Sequence, residues 1–299
     1  RLEAVMDAQG QVQSWLHRSA APTIASLFAQ GAKGQQMFES AMSAINMPYR
    51  IPNVRVETAE VDAHARIGWF RSVANIPHAF AAQCFIDELA HRAGKDPQAF
   101  ALDLIGPARQ IDPGTMADTW NYTESPERYP YDTGRLRGVI EAACKGAGWG
   151  CTLPKGHGLA FCYSFMSYTA TVVEVAVDDK GEVRVVAVDM AMDCGPQINP
   201  ERIRAQMEGG AIMGLSLALL GEITFERGRV KQNNFYDYEV LRHNASPRVI
   251  RTHLVNDDHA LPPGGVGEPP VPPVAPALCN AIFDATGKRI RSLPVRKVA

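Results

Sequence analysis

The sequence lacks the residue patterns that mark several common classes of enzyme. Its six cysteines form no C-x-x-C pair, and no cysteine–histidine group has the spacing of a zinc or iron–sulfur site. It contains no P-loop, no dinucleotide-binding glycine fingerprint, no H-E-x-x-H and no nucleophile elbow. A metal site built from this chain's own side chains is therefore not predicted, and any redox metal must be held by something other than a cysteine cage.

The sequence also has no charge block and no long hydrophobic run. The formal net charge is −2 with acidic and basic residues well mixed, so no basic stripe argues for a nucleic-acid partner. No apolar run reaches the length needed to span a bilayer. With 299 residues, of which 46% are hydrophobic, the chain is long enough for one large or two modest domains. It starts at Arg1 without a methionine, and we expect this start to be a cut point in a longer polypeptide.

Local patterns predict helices and strands that occur in blocks. Ahead of residue 264, caps and apolar spacing predict four helices and two hairpins, whereas residues 22–46 are helix-like but weakly patterned and residues 107–132 indicate a long ordered loop. The helices are predicted over 78–93, 97–105, 136–144 and 200–221, and the hairpins over 4–16 and 169–192, with further short strands at 222–226 and 229–233. This order favours an α+β fold over a doubly wound parallel sheet. We divide the chain into a first lobe, residues 1–150, and a second lobe, residues 151–299, joined near residues 146–158.

The most informative stretch is G-G-V-G-E-P-P, residues 264–270. Glycines let the backbone approach a ligand closely, and the two prolines stiffen the chain behind Glu268. A helical pattern follows at once and ends at Gly287. A carboxylate on such a stiff loop is well mounted to act as a general base. The alternative is an ordinary surface turn with a solvated glutamate.

Five stretches together resemble one protein family. In chain order they are Y-R-I-P-N-V, W-F-R-S-V-A-N, D-C-G-P-Q-I-N-P, R-A-Q-M-E-G-G and G-G-V-G-E-P-P. They resemble the molybdenum-binding subunits of the xanthine dehydrogenase/aldehyde oxidase family, of the isoquinoline 1-oxidoreductase beta-subunit type. The resemblance covers nearly the whole chain and is to the C-terminal portion of such a subunit. It implies a two-lobe molybdenum-cofactor-binding fold.

The resemblance also implies roles for particular residues. Glu268 matches the catalytic base, and Arg71 and Gln206 match residues beside the cofactor, with Gly267 as a further cofactor-binding position. A guanidinium offers a fork of donors, and an amide can both donate and accept. The alternatives are a salt bridge for Arg71 and a place on the solvent face of its helix for Gln206. In the better-known xanthine dehydrogenases of the family, Gly and then an aromatic residue follow the arginine, whereas this chain has Ser72 and Val73.

The implied reaction is oxidation of an aldehyde or hydroxylation of an N-heteroaromatic carbon with oxygen from water. The implied cofactor is molybdenum–molybdopterin, in its cytosine dinucleotide form, with iron–sulfur clusters on a partner. Further implied partners are the N-terminal portion of the same subunit, which would carry the G-G-x-F-G and M-G-Q-G-like motifs that this chain lacks, and a cytochrome or flavin electron acceptor. The alternative is a non-catalytic binding or assembly protein that keeps the fold without the metal. The sequence does not decide between bacterial periplasm and cytoplasm.

Overall fold

The computed structural model describes residues 1–63, 65–150, 155–295 and 298. Within them, helices and strands alternate in blocks, as the sequence predicts. The helices are α1 Met37–Ser40, α2 Asn75–Arg92, α3 Pro97–Ile105, α4 Thr133–Gly146, α5 Pro200–Leu219 and α6 Val274–Thr286. The strands are β1 Leu2–Met6, β2 Val12–Ala20, β3 Asn53–Ala59, β4 Gln110–Ile111, β5 Tyr131–Asp132, β6 His157–Ser164, β7 Ser167–Val177, β8 Val183–Asp193, β9 Phe225–Glu226, β10 Arg229–Val230 and β11 Val249–Leu254.

The core is organised around a four-stranded sheet in the order β11-β8-β7-β6. Strands β6, β7 and β8 form an antiparallel meander, and β11 joins β8 in parallel. Both faces are covered: Val172 belongs to a hydrophobic cluster with α2, α3 and α4, and its neighbour Val173 belongs to a second cluster with α5 and α6. Because both faces are covered, the residues of β7 are buried almost throughout instead of alternating between buried and exposed.

The structure confirms the elements that short local sequence patterns predict. Asp96 caps α3 by accepting a hydrogen bond from the Ala99 amide at 2.9 Å, with Pro97 at the first helical position. Asn199 caps α5 through the Arg202 amide at 3.1 Å in the same way. The hairpin of β1 and β2 is present, and β3 extends it to a three-stranded sheet. The α+β class is confirmed, whereas the division into lobes at residue 150 stays a prediction.

Three expectations from the sequence need correction or limitation. Residues 22–46 are not a helix: they contain a 3-10 turn at Ile24–Leu27 and the single turn α1, because Gly31, at φ +84°, and Gly34 interrupt the weak pattern. The predicted strands at 222–226 and 229–233 shrink to the two-residue β9 and β10. Residues 151–154 of the expected joint lie outside the described residues, and its last part is already strand β6.

Candidate active site

The loop before Glu268 lies directly against the turn between β6 and β7. The Gly264 amide donates to the Cys194 carbonyl at 2.9 Å, and the Gly265 amide donates to the Phe165 carbonyl at 2.7 Å. A Cβ atom on Gly264 would collide with the Met166 carbonyl oxygen. Gly264 is therefore required by close backbone packing. At Gly267, in contrast, no heavy atom of the described residues other than its chain neighbours lies within 4 Å of where a Cβ would be.

Glu268 is held between this loop and the start of α6. Pro269 and Pro270 are buried, and the Pro269 carbonyl accepts a hydrogen bond from the Thr169 hydroxyl at 3.0 Å. The Val271 amide donates to the Glu268 carbonyl at 3.1 Å, which forms a turn, and α6 begins only at Val274. The predicted stiff mount is therefore present, although the helix starts one turn later than the pattern indicates.

Arg71 connects three parts of the chain. Its Nε donates to the Gly267 carbonyl at 2.7 Å, and its Nη2 donates to the Gln206 side-chain oxygen at 3.0 Å and to the Gln206 carbonyl at 3.2 Å. Burial lowers the pKa of Arg71, and the charge of Glu268 opposes that shift. The structure thus brings Arg71, Gln206, Gly267 and Glu268 together. Among the described residues Arg71 forms no salt bridge, so its hydrogen bonds lead to the Glu268 loop and to α5.

Ser72 fixes the carboxylate of Glu268. Its amide donates to Glu268 Oε2 at 2.7 Å, and its hydroxyl donates to the Glu268 carbonyl at 2.6 Å. Ser72 is fully buried and has φ +77°, a conformation that favours glycine, so the two hydrogen bonds offset a strained backbone. From the sequence, Ser72 stands out only as a departure from the family's glycine. A small hydroxyl residue beside Arg71 is the signal that could have identified it.

Glycines of α5 bring that helix close to the Glu268 loop. A Cβ on Gly210 would lie 2.5 Å from the Cβ of Pro270, and one on Gly214 would lie 2.5 Å from the Cβ of Val274. A Cβ on the neighbouring Gly209 would, outside the helix's own backbone, come within 4 Å of one described atom, Nη1 of Arg71 at 3.9 Å. Because α5 packs so closely, Gln206 is carried next to Arg71. The exposed face of α5 and the Glu268 loop therefore form one surface.

The groups on this surface fit a molybdopterin cofactor. Gln206 uses its oxygen for Arg71, so its amide nitrogen, which has no partner among the described residues, can donate to a pterin edge. Open space beside Gly267 allows a ligand to approach the backbone. Glu268 Oε2 is bonded to Ser72, whereas Oε1 accepts no hydrogen bond from any described residue and can take up a proton. Donors, an acceptor and space thus occur together.

Other candidate groups are structural. Asp193 is 1% exposed and forms an ion pair with Arg135 at 2.6 Å, and the five cysteines that the structure describes are buried and free. Across the described ranges, no group of three or more histidine, cysteine or acidic side chains could hold a metal ion. The same ranges contain no helix with the length and hydropathy of a membrane span.

Two family models match this chain, and both describe a molybdopterin cofactor-binding domain. One matches residues 5–103, which include Arg71, and the other matches residues 137–247, which include Gln206. The chain belongs to the xanthine dehydrogenase/aldehyde oxidase family of molybdenum-binding subunits. Gly267 and Glu268 of this chain lie outside both matched ranges.

Curated relatives support this membership. A nicotinate dehydrogenase subunit of Pseudomonas putida is 30% identical over 98% of this chain and 25% of its own length. The beta subunit of isoquinoline 1-oxidoreductase from Brevundimonas diminuta is 28% identical over 98% of this chain and 35% of its own length. The chain therefore spans only a quarter to a third of these relatives.

A solved structure supports the fold. Quinoline 2-oxidoreductase from Pseudomonas putida 86 aligns with a TM-score of 0.64 at 12% identity, over 98% of this chain and 60% of the other. At this identity the similarity concerns the fold alone. This similarity in fold agrees with the mixture of helices and strands in the chain.

Proposed function

We propose that this chain is the C-terminal part of a molybdenum hydroxylase large subunit, with Glu268 as the general base. The reaction would oxidise an aldehyde or hydroxylate an N-heteroaromatic carbon, with oxygen derived from water. The observation that carries the proposal is the convergence of Arg71, Gln206, Gly267 and Glu268 on one surface of a molybdopterin cofactor-binding chain.

Glu268 would act through the oxygen that the protein leaves unbonded. The Ser72 amide holds Oε2 at 2.7 Å and so fixes the orientation of the carboxylate, while Oε1 accepts the proton of the attacking water-derived group. The side chain is half-buried, so its contact with bulk water is reduced. The bound cofactor would supply the two-electron redox chemistry.

The other three residues would hold and orient the cofactor. Gln206 presents its amide nitrogen, Gly267 leaves room for close approach, and Arg71 fixes both by bonding to their oxygens. Arg71 also places a positive charge beside Glu268. We propose the cytosine dinucleotide form of the cofactor, as the family resemblance implies.

The chain would need partners to turn over. No described group of side chains could hold an iron–sulfur cluster, so the clusters that take the electrons would lie on a small partner subunit. A cytochrome or flavin protein would act as the final acceptor. The N-terminal portion of the same subunit would complete the cofactor cradle. Residues 1–150 and 151–299 of this chain would form the two lobes of the C-terminal portion.

The experiment is a Glu268→Gln substitution in the complete protein with its partner chains. Loss of a general base lowers turnover about a hundred- to ten-thousand-fold. Glutamine keeps the shape and can still accept the Ser72 hydrogen bond, so molybdenum content and folding should not change. Glu201→Gln on α5 is the matched control, because the Glu201 side chain is 88% exposed and should leave turnover at the native rate.

Native turnover by the Glu268→Gln protein would remove Glu268 from the reaction. Absence of molybdenum from the native protein with all its partner chains present would instead favour a binding or assembly protein that keeps the fold without the metal.

A further inference from the structure

Asn75 is fully buried at the start of α2, and its polar atoms connect three turns of the chain. Its side-chain oxygen accepts a hydrogen bond from the Ser43 hydroxyl at 2.7 Å, and its side-chain nitrogen donates to the Tyr122 hydroxyl at 3.2 Å. Its backbone amide donates to the Ser72 carbonyl at 3.1 Å. An asparagine at the start of a helix usually caps the first turn with its oxygen, whereas this oxygen is used by a hydroxyl far away in the sequence.

All three turns contain left-handed backbone at residues other than glycine. Ser43 has φ +70°, Tyr122 has φ +55°, and Ser72 and Val73 have φ +77° and +50° in succession. Such backbone is strained and persists only where the surrounding contacts hold it. Here the contacts converge on the single side chain of Asn75 and on its backbone amide. Strain of this kind is concentrated at functional sites.

The strained turn at Ser72 is the one that reaches Glu268. The Phe70 carbonyl accepts a hydrogen bond from the Val73 amide at 2.8 Å, and the Ser72 carbonyl accepts one from the Asn75 amide at 3.1 Å, so two turns follow one another. Between them, the Ser72 amide points to Glu268 Oε2 at 2.7 Å. Because the side chain of Asn75 is fixed at both ends, its backbone amide holds the Ser72 carbonyl in place. The Ser72 amide therefore stays aligned with the carboxylate.

We infer that Asn75 is a positioning residue for the proposed base and acts on Glu268 through Ser72. Asn75 has no exposed surface, so its effect passes through the turn and not through contact with cofactor or substrate. A base without a fixed orientation transfers protons less efficiently, and a misplacement of about 1 Å can lower a rate about a hundredfold. This inference rests on the proposed function, since it concerns the orientation of the same carboxylate.

The kinetic test uses the complete protein with its partner chains, assayed with benzaldehyde and with isoquinoline, one compound for each proposed reaction. Asn75→Ala should lower kcat about ten- to a hundredfold for the compound that the native protein turns over, with KM changed less than about threefold. Asn280→Ala is the matched control. Asn280 is 2% exposed and donates to the Leu159 carbonyl at 3.0 Å, so its loss should lower Tm as well but leave kcat at the native value.

A double substitution separates positioning from a general loss of structure. In the Glu268→Gln protein the base is gone, so Asn75 has nothing left to orient. Adding Asn75→Ala to that protein should therefore leave the residual kcat unchanged within about twofold, because residues that act as one unit are not additive. If the two losses multiply, Asn75 supports the fold in general, and the inference is overturned.

Hydrogen–deuterium exchange separates this inference from the proposed function, because it needs no turnover. The Ser72 amide is protected in the native protein by its bond to Glu268. Asn75→Ala should speed exchange at this amide at least about tenfold, whereas Asn280→Ala should leave it unchanged. Faster exchange at Ser72 in a protein whose turnover does not depend on Glu268 would support the hold of Asn75 on the carboxylate while the proposed function fails. Exchange at the native rate in Asn75→Ala, or a native kcat, would overturn the inference.

Discussion

Two adjacent glycines of α5 provide a sharp test of how closely that helix packs on the Glu268 loop. Gly209 and Gly210 both lie inside the helix, so replacing either by alanine removes the same cost of about 1 kcal/mol that glycine imposes in a helix interior. Only the second position is crowded. The new Cβ at Gly210 would lie 2.5 Å from the Cβ of Pro270, about 1 Å inside the normal contact distance of carbon atoms.

The rigid Pro270 ring cannot move aside as a flexible side chain would, so overpacking should cost about 1–3 kcal/mol. Gly210→Ala should therefore be destabilised by up to about 2 kcal/mol overall. Gly209→Ala should be stabilised by up to about 1 kcal/mol, because its nearest new contact, Arg71 Nη1, is at 3.9 Å.

The assay is equilibrium urea unfolding of both variants and the native protein under one set of conditions. The two variants should differ by about 1–3 kcal/mol in free energy of unfolding, with similar slopes against urea. Because Pro270 lies two residues after Glu268, Gly210→Ala should also lower turnover, whereas Gly209→Ala changes it less. Equal stabilisation of both variants would refute the close approach of α5 to the loop.

Two further predictions concern strain and pH. Ser72→Ala loses the hydroxyl bond to Glu268 and keeps the strained φ of +77°, whereas Ser72→Gly loses the same bond but tolerates that φ. Thermal unfolding should show Ser72→Gly to be more stable by about 1 kcal/mol, and the opposite order would contradict the strain. Burial, with a smaller effect of His78, lowers the pKa of His17 from 6.5 to about 3, and burial also lowers the pKa of His78. The folded state therefore keeps the His17 ring neutral, so its contribution to stability is complete above pH 6.5 and is lost as the pH falls towards 3. His17 alone should cost about 2 kcal/mol of the free energy of unfolding at pH 5 relative to pH 7. Urea unfolding should show that His17→Gln loses less free energy of unfolding between pH 7 and pH 5 than the native protein does. Equal losses in the two proteins would contradict the assignment.

Local elements could be predicted from the sequence because their signals lie within a few residues. The caps at Asp96 and Asn199 and the turn between β7 and β8 depend on side chains adjacent to the elements they limit. The short pieces in residues 22–46 could not be predicted in the same way, since packing and two glycines determine them.

The sequence could predict which residues belong to the site but not the contacts between them. The resemblance gave Arg71, Gln206 and Glu268, but the contact between Arg71 and Gly267 spans 196 residues and depends on the whole fold. The role of Ser72 was missed, because nothing local shows that its backbone amide faces a carboxylate from the other end of the chain.

The most direct test of the central claim is the molybdenum and pterin content of the native protein, purified from its source with all associated chains. The convergence of Arg71, Gln206, Gly267 and Glu268 predicts one molybdenum and one pterin per copy of this chain, together with an iron–sulfur partner. Absence of both molybdenum and pterin from an otherwise intact assembly would contradict the cofactor site and would leave Glu268 without its proposed role.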